Sequence, residues 1–391
     1  MKKIALIFKV HQPFRLRKYR FFDIGENHDY YDDYQNKYAL KRFTEQSYDK
    51  ANALIKDALA RYPKQFAFSF AFSGTAMDQM QWYAPELLAD FQALAAHKEV
   101  EFLAEPYSCS LGSLISRNFF CSQVEAHRKK LRTVFKKTPS VLLNTDLIYS
   151  DEIGQWASEM KFKGMVAEGA RHILGWKSAH YLYAQPETGL PLLLRDPALS
   201  ENLSLRFSDR NWDQWPYTVE KFLQAVDAEA GDTQIVLCID YAVLGEFQPE
   251  ESGIFAFFSA LIDQVAQRKD YAFVTPSQLC KQTPVGDLHV PTPVSCVDEE
   301  RDLTACYGND MQRDAVANLK RMWAAVEKTK DKEIVKDFMY LTGSDHLHYM
   351  STKWFSDTPS PRYLRPYDSP YDGYINYMNV LSDLSQRLGL D

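Results

Sequence analysis

Two aspartates, two glutamates and a histidine stand where apolar stretches of this chain end. Asp146 closes the run Val141-Leu142-Leu143-Asn144-Thr145, and Asp240 closes Ile235-Val236-Leu237-Cys238-Ile239. Glu105, Glu168 and His11 end similar runs. A carboxyl leaving an apolar strand enters a partly desolvated site, where its acidity shifts. Two carboxyls in unlike surroundings are what glycoside hydrolysis uses, one as proton donor and one as nucleophile or base. A plainer role is open to each: Asp146 as a turn cap, Asp240 as an acceptor for loop backbone, His11 as a satisfied core histidine. His11, Glu105, Asp146 and Asp240 are all competent metal ligands, yet no HxH or HxxxH spacing accompanies them. Neither a metal nor a cofactor is expected.

Two further segments carry candidate substrate contacts. The stretch 203–216 holds Arg206, Arg210, Asp209, Asp213, Trp212 and Trp215. Its indole faces can stack on a sugar, or the loop can be a lid pinned by Arg–Asp pairs. Asp345 and His346, with a second histidine and Trp354 close by, read as a surface closing over a cleft.

These side chains need elements to position them. Short apolar runs at 4–10, 66–72, 100–104, 141–143, 165–167, 192–194, 235–239 and 271–274 alternate with helical patterns such as 47–61 and 85–96. That alternation argues for a parallel sheet, and this many repeats favour a closed β/α barrel over an open sheet. In such a barrel the strand ends converge on one face, where active sites are built. Around Asp146, Ser150 reads as the N-cap of a helix with Asp151 and Glu152 in its first turn. A proline-rich crossing at 283–294 separates a barrel over 1–284 from a helical domain over 285–391. In the latter, helices are expected at 312–326, 332–341 and 374–388, with an ordered loop over 351–371.

The bulk composition sets bounds. With 391 residues and 46% apolar side chains, the chain can bury a large core plus an appendage. A net charge of −7 gives no electrostatic reason to expect nucleic acid. Lys9 and His11 cut the N-terminal apolar run too short for a secretory segment, and nothing approaches the ~18 apolar residues of a membrane span. The six cysteines lack CxxC spacing, so buried free thiols in a reducing, cytoplasmic setting are expected. Oligomeric state leaves no mark in the sequence.

Taken together, the motifs resemble glycoside hydrolase family 57, the α-amylase-like enzymes acting on α-glucans. Val10-His-Gln-Pro resembles the family's first motif, Asn144-Thr-Asp-Leu-Ile-Tyr its nucleophile motif, and Ile239-Asp-Tyr-Ala-Val-Leu-Gly-Glu its acid/base motif. Val274-Thr-Pro-Ser-Gln resembles the last barrel motif, and Ser369-Pro-Tyr-Asp-Gly-Tyr the tail of the α-amylase branch. The resemblance implies an incomplete TIM-like (β/α)7 barrel with a C-terminal helical domain. It also implies retention of configuration and an intracellular α-1,4-glucan or maltooligosaccharide as partner. Asp146 then matches the nucleophile and Asp240 the acid/base. His11 would hold a sugar hydroxyl, with Glu105 and Trp212 lining subsites.

Several positions depart from the family pattern. Its nucleophile is Glu, where this chain has Asp146; Ala242, Val243 and Phe247 replace Glu, Thr and His; Cys109 stands for a histidine. A carboxylate one methylene short is withdrawn by about one C–C bond, and a misplacement of ~1 Å can cost on the order of 10²-fold in rate. Retaining chemistry wants carboxyls about 5–5.5 Å apart, and an inverting pair stands at roughly 6.5–9.5 Å. The alternative to an active enzyme is an impaired relative that binds glucan or regulates an enzyme of glycogen or starch metabolism.

Overall fold

The apolar runs are too short for buried helices, and those at 4–10, 66–72, 235–239 and 271–274 are rich in the β-branched and aromatic residues that favour strands. The computed structural model describes residues 1–353 and 364–390, so Trp354 and the middle of the 351–371 loop lie outside the described residues. Its main strands are β1 (Lys2–Val10), β2 (Phe68–Phe72), β3 (Val100–Leu103), β4 (Val141–Leu143), β5 (Gly164–Glu168), β6 (Pro191–Arg195), β7 (Gln234–Asp240) and β8 (Tyr271–Phe273). Seven run side by side in the order β3-β2-β1-β7-β6-β5-β4. Ala104, just beyond β3, bridges Leu142 of β4 and completes the ring. Its N–H donates to Val141 O at 2.9 Å, and its carbonyl accepts from Leu143 N–H at 2.8 Å. β8 pairs with the first residues of β1, at Lys2, Lys3 and Ile4, while β2 takes Ile7 to Val10.

Side chains alternate across each strand, and registered neighbours of a parallel pair share a face. Ala5, Ile7, Ala71, Leu103, Val141, Leu143, Val166, Leu193 and Val236 fill the lumen. The intervening residues, such as Phe8, Phe70 and Phe102, face outward into the layer of helices.

That layer comprises α1 (Asp33–Phe43), α2 (Asp49–Arg61), α3 (Gly74–Tyr83), α4 (Pro85–Ala95), α5 (Arg117–Phe135), α6 (Asp151–Glu159), α7 (Val219–Asp227) and α8 (Ile254–Gln267). Ser73 caps α3 by accepting from Ala76 N–H at 3.1 Å. Ser150 does precede α6, but its hydroxyl makes no capping bond. The Asp151 carboxylate instead accepts the Val290 N–H at 3.0 Å and ties the crossing segment down.

The helices that follow include α9 (Asp310–Val326), α10 (Lys332–Leu341), α11 (Ser344–His348) and α12 (Pro370–Arg387). α12 begins earlier than its apolar pattern because Ser369 caps it and Pro370 suits the first helical position. α11 is too short to leave a periodic signal. These helices share one core with the barrel's outer face: Phe119 of α5 packs its ring 4.8 Å from Trp323 and 5.2 Å from Phe338. All six cysteines are unbridged, with Cys109 and Cys306 fully buried and the other four partly so. Among the described residues no helix is long and apolar enough to cross a membrane.

Candidate active site

The alternation that fills the lumen with apolar groups ends in a polar layer. Lys9 of β1 pairs in register with Asp240 of β7, and Glu168 of β5 with Arg195 of β6, so all four project into the lumen. Glu105 lies two residues beyond Leu103 and keeps its direction. Its backbone is pinned by His127, whose Nδ1 accepts the Glu105 N–H at 3.1 Å while Nε2–H donates to Phe72 O at 2.8 Å. Burial lowers His127 to about 4, so this support is neutral.

Asp146 sits on a strained turn. Its φ is +50° and that of Leu147 is +54°, left-handed values that cost a non-glycine residue roughly 1 kcal/mol or more each. Local bonds enforce the turn. Asn144 Oδ1 accepts Thr145 N–H at 2.8 Å, and the Asp146 carbonyl accepts from Ser295 Oγ at 2.8 Å and Cys296 N–H at 2.9 Å. The turn swings the Asp146 carboxylate toward two basic groups: Lys9 Nζ lies 3.6 Å from Oδ1, and His348 Nε2 lies 3.1 Å from Oδ2. Burial alone would raise its pKa, but Lys9 and His348 outweigh burial and hold it at about 2.

Asp240 responds the other way. Burial pushes it up, the Ala242 N–H bond (2.7 Å) and the charges of Lys9 and His11 pull back, and it settles at about 6. Burial likewise carries Glu105 to about 7, against the pull of Lys9 and His11. Its Oε2 faces the Cys109 thiol at 3.9 Å.

His11 bridges two elements, with Nδ1 2.8 Å from Ser73 Oγ and Nε2 2.8 Å from Asp345 Oδ2. Burial disfavours its charge, yet Cys109 and Asp345 beside it raise it well above the ordinary histidine value. Asp345 is correspondingly held below the usual carboxylate range: burial opposes this, and the His11 charge and bond override it. Beneath this layer Arg195 Nη1 donates to both Glu168 oxygens at 3.0 and 3.1 Å. Arg301 reaches Glu168 at 3.6 Å and Glu201 at 2.5 Å.

The structure thus gathers His11, Glu105, Asp146, Asp240 and Asp345 at one end of the barrel. His346 points elsewhere: its ring stacks on Tyr377 at 5.2 Å, and burial lowers it to about 4. Trp212 packs on Tyr217 at 5.1 Å in the outer core, and Trp215 lies exposed under Arg210 at 5.8 Å. The additional members are Lys9, His348 and Ser73. Lys9 was legible as a cation inside an apolar strand, two residues from Ile7 and so on the same face. Asp345 and His348 are three apart on α11 and share a face, whereas His346 does not. Among the described residues no group of three or more His, Cys, Asp or Glu side chains could hold a metal ion.

The chain is similar to known proteins at two levels, sequence and fold. Residues 5–291 fit the model of glycosyl hydrolase family 57. A provisionally named alpha-amylase of Methanocaldococcus jannaschii is 33% identical over 97% of this chain and 83% of its own length. Two solved structures share the fold at 12% identity. The GH57-type branching enzyme of Pyrococcus horikoshii has a TM-score of 0.69 and covers 99% of this chain and 94% of its own. The alpha-amylase of Thermotoga maritima has a TM-score of 0.68 and covers 99% and 93%. With the family model spanning most of its length and a relative at this identity, the chain belongs to glycosyl hydrolase family 57.

Proposed function

We propose that the protein is an α-glucan-active glycoside hydrolase acting on intracellular α-1,4-glucans or maltooligosaccharides. The observation that carries this reading is the opposed acidity of two lumen carboxyls, Asp146 at about 2 and Asp240 at about 6. Groups pushed apart in this way divide the roles of acid and nucleophile between them. Asp240 protonates the glycosidic oxygen as the bond to the leaving sugar breaks. Ionised Asp146 attacks the anomeric carbon, in keeping with the retaining chemistry implied by the family resemblance. Water then displaces Asp146, and Asp240 takes back the proton. His11, which keeps some exposed surface, would hold a sugar hydroxyl, with Glu105 buried in the wall behind it.

One observation favours a second reading. Lys9 places an ammonium 3.6 Å from the Asp146 carboxylate, near where the transition state of glycoside cleavage develops positive charge. That disfavours turnover and suits a glucan-binding or regulatory relative. Product release from maltooligosaccharides decides between them. For the hydrolase, Asp240→Asn lowers the rate by about 10²-fold or more. An unchanged rate in that variant overturns the acid/base assignment. A wild type that is inert while Asp146→Glu gains activity establishes the binding reading instead.

A further inference from the structure

A cavity of about 630 Å³ lies outside the lumen, between the segment after β1 and the face of α12. None of the lumen carboxylates or imidazoles lines it. Its walls are pre-formed, because α12 holds the facing segment through side-chain amides. Asn376 Oδ1 accepts the Tyr19 N–H at 2.7 Å, and Asn379 Nδ2 donates to the Tyr19 carbonyl at 3.0 Å.

Two kinds of surface meet there. Phe21 and Ile375 line the cavity while 72% and 57% exposed, with Tyr19 and Tyr367 behind them. Large apolar side chains left open beside a cavity mark ligand contact. Between them Arg15, Lys18 and Arg20 are matched by Asp32, Asp368 and Asp372, so formal charge cancels. A cavity elsewhere contrasts with it: Lys64, Lys98, Lys137 and Lys281 there outnumber Glu99 and Glu101, a field that selects anions. Balanced charge, planar hydrogen-bonding groups and flat apolar area instead suit a neutral ligand with an apolar face and a rim of hydroxyls. A pyranose chain has that form.

We infer that the cavity under α12 is a second binding site for an α-glucan chain, distinct from the lumen. The inference rests on the proposed α-glucan reading. Glucose rings stack on Phe21 and pack against Ile375, and their hydroxyls bond the charged and amide rim. The wall begins at Arg15, four residues after His11 at the end of β1. A polysaccharide held there raises the effective concentration of chain ends at the cleft.

The test is retention in native gels containing amylose or glycogen, run beside turnover of maltotetraose. The variants are Phe21→Ala/Ile375→Ser and Asp240→Asn. The double variant should bind polysaccharide about tenfold more weakly, the loss expected from one stacked ring and its neighbour. Its maltotetraose turnover should match wild type, and Asp240→Asn should be retained as wild type is. Both exposed positions are tolerant; if the double variant nevertheless melts early, Gln35→Ala carries the same test from the opposite wall. Normal retention of the altered cavity, or an unretained wild type that still turns over maltotetraose, overturns this site alone. A wild type neither retained nor active overturns the proposed function and this site together.

Discussion

Glu105 has a fully buried side chain, and its Oε1 finds no hydrogen-bond partner among the described residues. A buried, partly unsatisfied carboxyl costs stability once ionised. Burial sets its folded value at about 7, against an ordinary 4.5. Because the folded value is the higher one, the folded state holds a proton that the unfolded chain has released. The resulting stability is fully present below pH 4.5 and is lost as pH rises through 7. That loss amounts to about 3 kcal/mol. Glu105→Gln removes the titration and keeps the shape, so denaturant melts should show it more stable than wild type at pH 8. At pH 4.5 the two should nearly coincide. An equal difference at both pH values would show that Glu105 does not titrate in this range.

At the scale of elements, the strand-to-helix junctions decide where the polar groups point. Ser73 ends β2, caps α3 and bonds His11, and Gly74 follows it against Tyr107. A Cβ at Gly74 would stand 2.3 Å from Tyr107 Cδ1, inside a ring anchored by its hydroxyl to Asp78 at 2.8 Å. Gly74→Ala must therefore move the junction, costing roughly 1–3 kcal/mol as an overpacking change. A urea melt with an unshifted midpoint would refute this close approach. These junctions also explain what the sequence disclosed. Alternation in apolar strands made Glu105 and Asp240 readable, because a lumen position follows from counting by two; Asp146 is off that count from Val141 and Leu143, and only its left-handed turn brings its carboxylate in. Lys9 obeyed the same count and was legible as a face, though nothing local announced its partner. Asp345 and His348 were harder, since five residues of α11 carry no period and their meeting with His11 and Asp146 depends on tertiary packing. The two tryptophans of the 203–216 stretch attract attention by type alone, and the fold gives them Tyr217 and Arg210 as neighbours.

At the scale of the molecule, the question is whether the barrel is a site by itself. The chain beyond residue 284 supplies Asp345 to His11, His348 to Asp146, and the Ser295 and Cys296 bonds that fix the Asp146 turn. Arg301 adds a charge to the Glu168–Arg195 pair beneath, and without it the half-buried Glu201 loses its closest cation. Packing points the same way. Val316, Leu319, Phe338 and Tyr377 lie in one cluster with Leu142, Met165 and Leu192 of the barrel strands. Cutting there would expose the outward faces of β4, β5 and β6, an apolar area no soluble monomer leaves open. The fragment 1–284 should therefore lack a cooperative thermal transition and any glucan turnover, and co-expression with 285–391 should restore both. A fragment 1–284 that melts cooperatively would show that the barrel is an independent folding unit. If it were inactive as well, the helices would serve the chemistry alone, through Asp345, His348 and the clamp on Asp146.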